Sequence, residues 1–170
     1  MIIFAHGLEG SPNGSKIRAL RNAGFDVVAP DFQGMVLAER VDLLHEICLE
    51  YASEQPILAG SSYGGLTAAI VAMRMENAFR GLLLCAPALH LVEPPVDDKT
   101  VLVAPNGLKT IIIHGLEDDI VPISCSIEYA SRSRDEIVAF HKVNDSHRLA
   151  ESHQEIISAA QLLSAETIDS

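Results

Sequence analysis

Short, nearly continuous apolar runs recur along the chain at 2–5, 25–29, 56–60, 81–86, 110–114 and 136–141. They are too short for helices and lack the alternation of a strand with one wet face. They therefore read as buried strands of a parallel sheet. Between them the period changes. A helix begins near Lys16, runs through Ile17, Leu20 and Arg21, and stops at Gly24, with Asn13 or Ser15 placed to cap it. Residues 36–53 carry Val36, Leu37, Val41, Leu44, Ile47, Cys48 and Tyr51 at helical spacing. Further helices are predicted from Tyr63 to about 78, from 122 to about 132 with Pro122 near the first turn, and from 148 to about 164.

Strands alternating with helices at these intervals predict an α/β fold of about six mainly parallel strands, flanked by helices on both faces. Residues 87–108 break the pattern with Pro94-Pro95, Asp97-Asp98 and Pro105-Asn106-Gly107, and read as a loop or a helical turn. No repeat or linker divides the sequence, so residues 1–170 are expected to form one domain. A G-x-G-x-x-G after a strand is absent, which removes the dinucleotide-binding reading. In open parallel sheets ligands bind at the carboxyl ends of the strands, and candidate chemistry belongs there.

Composition narrows the partners. The formal net charge of −11, from 23 acidic and 12 basic residues, opposes binding to nucleic acid or an anionic membrane. A hydrophobic content of 48% and a mean hydropathy of +0.23 exclude a disordered chain. No apolar run reaches the ~18 residues of a membrane span, and the Met1–Gly7 segment reads as a first strand in place of a signal peptide. Cys48, Cys85 and Cys125 are odd in number and widely spaced, without disulfide or zinc spacing. Buried thiols in a reducing cytoplasm are the expectation, with no metal and no organic cofactor.

The chemistry starts at Gly60-Ser61-Ser62-Tyr63-Gly64, a G-x-S-x-G between a predicted strand and a predicted helix. That context makes it a nucleophile elbow, in which a tight strand-to-helix turn lifts the Ser62 hydroxyl above the sheet. A serine needs a base to take its proton, and the base needs an acid to orient it. After the fifth strand comes His114-Gly115-Leu116-Glu117-Asp118-Asp119-Ile120-Val121-Pro122, and after the sixth Asn144-Asp145-Ser146-His147. Spacing alone leaves Glu117, Asp118 and Asp119 open as the acid. Among the histidines, His141 falls in the last strand, His153 inside the final helix, and His90 and His114 are further candidates. His147 alone follows the last strand in a short polar loop, where the order serine, acid, histidine puts the base.

F-A-H-G-L-E-G-S-P, G-S-S-Y-G-G, I-H-G-L-E-D-D-I-V-P and N-D-S-H occur in order with strands between them. On these four stretches the chain resembles the α/β-hydrolases, in particular the small single-domain bacterial esterases of the YqiA/YcfP type. The chain departs from that subgroup where Asn-Ser-Ser usually follows His-Gly-Phe and where Tyr63 replaces Leu. The resemblance implies a single-domain α/β-hydrolase with a minimal cap. It implies Asp118 as the acid, through the pattern H-G-x-x-D-x-x-V-P, and an oxyanion hole of the Leu8 and Tyr63 backbone N–H groups. His6 and Asp31 are expected to be structural. The expected substrate is a small-molecule carboxylic ester or thioester, met in a shallow site lined by Leu8, Tyr63, Leu89, Leu91 and Val121. An acyltransferase on the same triad and a non-catalytic binding protein are the alternatives. The sequence assigns no oligomeric state.

Overall fold

The computed structural model describes residues 1–165. Six strands form one sheet: β1 (Ile2–Ala5), β2 (Val27–Val28), β3 (Ile57–Ser61), β4 (Gly81–Cys85), β5 (Thr110–Gly115) and β6 (Ile137–Val143). Their order is β2-β1-β3-β4-β5-β6, and every pairing is parallel. The helices are α1 (Ser15–Asn22), α2 (Leu37–Glu50), α3 (Tyr63–Arg74), α4 (Ile123–Arg132) and α5 (His153–Ser164).

The period of two along each strand builds two separate cores. Ile2, Phe4, Ile57, Ala59, Leu83, Cys85, Ile111 and Ile113 face α1 and α5, packing on Ile17, Leu20, Ile156 and Leu163. Their alternates Ile3, Ala5, Leu58, Leu82, Leu84 and Ile112 face α2, α3 and α4. A sheet covered on both faces needs apolar residues at consecutive positions, which is why the runs are unbroken in sequence.

Two boundaries differ from expectation because hydrogen-bonding groups are committed elsewhere. Strand β2 is two residues long, not five. The Phe25 N–H closes the end of α1 on the Leu20 carbonyl, and Pro30 has no N–H to offer. Helix α5 starts at His153, not at 148. The Asp145 carboxylate takes the Glu151 N–H and the Ser152 hydroxyl, and Leu149 adopts φ 51, so residues 148–152 form turns. Helix α1 has Gly14 at its N-cap with no side-chain cap, so neither Asn13 nor Ser15 serves as one.

Between β4 and β5, residues 87–108 hold a single 3₁₀ turn, Lys99–Val101, and a cis peptide between Pro94 and Pro95. Val96, Leu102, Ala104 and Leu108 bury themselves against the α2–α4 core. The segment lies down on the fold and raises no helical cap over the strand ends. Among the described residues, no helix is long and apolar enough to cross a membrane.

Candidate active site

Ser62 sits between β3 and α3 at φ 56, ψ −120, a conformation L-residues rarely hold. The neighbours that hold it there are backbone groups. The Ser62 N–H donates to the Cys85 carbonyl, and the Ser62 carbonyl accepts from Gly65, Leu66 and Ala88. The turn is too tight for side chains beside it. A Cβ on Gly60 would stand 2.2 Å from the Gly64 carbonyl oxygen, and one on Gly64 would stand 2.1 Å from that of Ala5. Both glycines are therefore obligatory, and the second locks the elbow against the end of β1.

Two loops converge on the serine. His147 follows β6 in a turn held by the buried Asp145, whose carboxylate accepts the Ser146 and Glu151 N–H groups and the Ser152 hydroxyl. Desolvation works to raise the pKa of Asp145, but these hydrogen bonds and the nearby Lys16 outweigh it and hold the carboxyl below its usual range. Asp118 follows β5, its side chain fully buried. Its Oδ1 accepts the N–H groups of Ile120 (3.0 Å) and Val121 (2.8 Å).

The three candidate side chains form one line. His147 Nδ1 lies 2.8 Å from Asp118 Oδ2, and His147 Nε2 lies 2.9 Å from Ser62 Oγ. A carboxylate can only accept, so the proton belongs on Nδ1, and Nε2 is left to receive the serine proton. Glu117 and Asp119 point to solvent, leaving Asp118 alone on the histidine. Of the other histidines, His141 is exposed on β6, His153 opens α5, His90 borders the cleft, and His114 is buried.

On the far side of Ser62, Gly7 lets the loop after β1 approach, since a Cβ there would press on the serine Cβ at 3.3 Å. Among the described residues, neither the Leu8 nor the Tyr63 N–H has a protein acceptor. His6 holds this loop: its Nε2 accepts the Phe32 N–H at 2.9 Å, and its Nδ1 donates to the Gly7 carbonyl at 2.7 Å. The Asp31 carboxylate accepts the Gln33 N–H and keeps its own turn.

The sequence reading passed over Arg40. This fully buried residue donates from Nη1 to the His6 carbonyl, 3.0 Å away, and its guanidinium carbon lies 4.8 Å from the Tyr63 ring centre. Burial lowers its pKa, with Tyr63 and the Asp31 carboxylate opposing the effect. The signal was present, because Leu37, Arg40, Val41 and Leu44 share one face of a helix.

The strand ends open into a cleft of about 510 Å³, within the range of small-molecule sites. Leu8, Tyr63, Leu91 and Val121 line it as expected, joined by Ile120 and Lys16. Leu89 does not: it is 1% exposed and packs in the α2–α4 core. The Lys16 ammonium donates to the Arg148 carbonyl beside His147 at 2.6 Å, and burial lowers its pKa.

The profile of the Alpha/beta hydrolase family matches residues 2–155. The chain belongs to this family. An alpha/beta hydrolase superfamily protein from Xanthomonas campestris pv. campestris superposes with a TM-score of 0.78 at 28% identity, covering 95% of this chain and 96% of that one. Est1E from Butyrivibrio proteoclasticus shares the fold at a TM-score of 0.74 and 16% identity, over 95% and 85% of the two chains. The monoacylglycerol lipase of Paleococcus ferrophilus does so at 0.74 and 17%, over 96% and 94%. No curated protein sequence matches the chain. As an alpha/beta hydrolase it has a six-stranded parallel sheet and, among the described residues, no helical cap.

Proposed function

We propose that this alpha/beta hydrolase is a serine hydrolase that cleaves carboxylic esters or thioesters of short acyl chains through an acyl-enzyme. The observation that carries the reading is the unbroken hydrogen-bonded line from Ser62 Oγ through the His147 ring to Asp118 Oδ2. Ser62 Oγ attacks the substrate carbonyl carbon while His147 Nε2 takes its proton. Asp118 keeps the ring in the required tautomer and offsets the charge of the imidazolium. The carbonyl oxygen, now negative, receives the Leu8 and Tyr63 N–H groups, which have no protein acceptor to give up first.

Collapse of the tetrahedral intermediate expels the alkoxide or thiolate, which His147 protonates from Nε2. Water then enters, loses its proton to Nε2, and attacks the acyl carbon. Breakdown releases the acid and returns the proton to Ser62 Oγ. The cleft size and the low segment 87–108 favour short acyl groups and leave water a way in.

Hydrolysis of p-nitrophenyl acetate and butyrate by the wild type, lost in Ser62→Ala, tests the proposal. Partitioning in the presence of added alcohol separates hydrolysis from acyl transfer: a product that remains the free acid supports water as the acceptor. A well-folded wild type with no turnover of either ester or of a thioester analogue contradicts the reading and favours a binding protein on this fold.

A further inference from the structure

The same oxygen of Asp118 that meets His147 also meets a second histidine. His114, at the end of β5 and fully buried, places Nε2 3.1 Å from Asp118 Oδ2 and 3.0 Å from the Val121 carbonyl. Both of those partners only accept, so Nε2 carries a proton. Nδ1, 2.8 Å from the Ser126 hydroxyl on α4, is then the acceptor of that O–H. The ring is thus fixed in one tautomer from both ends. Burial pushes its pKa down, against the pull of the Val121 carbonyl and Asp118, which keeps it a neutral donor.

We propose that His114 is a positioning residue for the hydrolase reaction: its Nε2–H orients the Asp118 carboxylate and draws negative charge away from the oxygen that serves His147. The proposal rests on the serine-hydrolase reading. A carboxylate oxygen shared between two N–H donors offers each less charge than it would offer one alone. Without the His114 donor, Oδ2 turns its full charge on His147 and favours the imidazolium, and a charged imidazole is no base. Of the neighbouring titratable groups, His147 adds to the lowering of His114 and His90 beside the cleft feels Asp118, while Lys16 on α1 and Arg148 line the same cleft as His147. His90 is lowered chiefly by burial, with Lys99 adding to the effect and Asp118 opposing it.

Two amide variants isolate the donor. The Gln Nε2 reaches the position of the imidazole Nε2, whereas Asn is one methylene shorter and falls short of Asp118. The readout is the rate of fluorophosphonate labelling of Ser62 against pH, with the circular dichroism and thermal midpoint of each variant as folding controls. His114→Gln is expected to keep the acid limb of the wild type. His114→Asn is expected to move that limb to higher pH by about half a unit or more, as loss of a hydrogen bond to a charged group requires.

Loss of packing alone would lower the rate at every pH and leave the limb where it was. Limbs that coincide in the two variants, or a limb displaced to lower pH in His114→Asn, overturn the proposal while the labelled wild type leaves the hydrolase reading standing. A wild type that never labels overturns both. If His114→Asn does not fold, His114→Leu provides the second arm: it fills the buried site without any donor toward Asp118, and an unmoved limb there counts against the proposal.

Discussion

His147 Nε2 stands 2.9 Å from Ser62 Oγ, although 85 residues separate them in the chain. Nothing local brings them together. The contact exists because β3 and β6, running parallel, both end at the carboxyl side of one sheet, and because the loop after β5, holding Asp118, reaches His147. If the three act as a unit, Ser62→Ala and His147→Ala should each lower ester turnover by about 10⁴–10⁶, and the double variant by no more than either. Asp118→Asn should cost about 10⁴, since an amide nitrogen toward Nδ1 favours the wrong tautomer. Turnover in single and double variants checks this, and additive losses would contradict it.

The elbow glycines predict a stability effect separable from chemistry. Gly60→Ala and Gly64→Ala each force a Cβ into backbone at 2.2 and 2.1 Å. Overpacking against an immovable neighbour costs about 3 kcal/mol or more, which for a chain of this size lowers Tm by roughly 6–12 °C. Gly14→Ala meets only the Ser11 carbonyl oxygen at 3.4 Å and should shift Tm by about 3 °C or less. Differential scanning calorimetry of the three variants decides it.

Asp145 ties the His147 loop and makes acid stability its signature. Its carboxyl lies below the ordinary 3.8 of an aspartate in the folded protein. The stability it contributes is therefore present above the unfolded value and is lost as pH falls through the folded one. Asp145→Asn replaces an acceptor with a donor facing the Glu151 N–H and the Ser152 hydroxyl, and should cost about 1–3 kcal/mol at neutral pH. Urea unfolding of the two proteins should converge as the pH drops below 3.8. A gap that persists undiminished at low pH would contradict this.

The cysteines should be silent in the native protein. All three are buried and unpaired, and burial pushes the Cys48 thiol up to about 12, Cys85 to about 11, and Cys125 upward as well. With so little thiolate, a disulfide reagent at pH 8 should find no reactive group until denaturant is added, and then three. One fast thiol in the native state would contradict the described core.

Much of this site could be read before the fold was known, because an elbow, an acid loop and a histidine loop are each contiguous stretches at strand ends. Tertiary hydrogen bonds decided the remainder. Spacing leaves Glu117, Asp118 and Asp119 open and only the resemblance pattern points to Asp118; what decides it physically is that this carboxylate alone faces inward onto His147. Helix α5 starts late because Asp145, seven residues before Ser152, captures its hydroxyl. Leu89 and Leu91 look alike in sequence, yet one joins the core and the other the cleft. His114 looked like one of several histidines until its ring was found on the Asp118 oxygen.

The most direct test of the account is the intact mass of the protein after incubation with a fluorophosphonate, followed by peptide mapping. A single adduct on Ser62, absent in His147→Ala, is the predicted result and would place an activated nucleophile at the elbow. Well-folded protein that takes up no adduct, or carries it on another residue, would contradict the central claim.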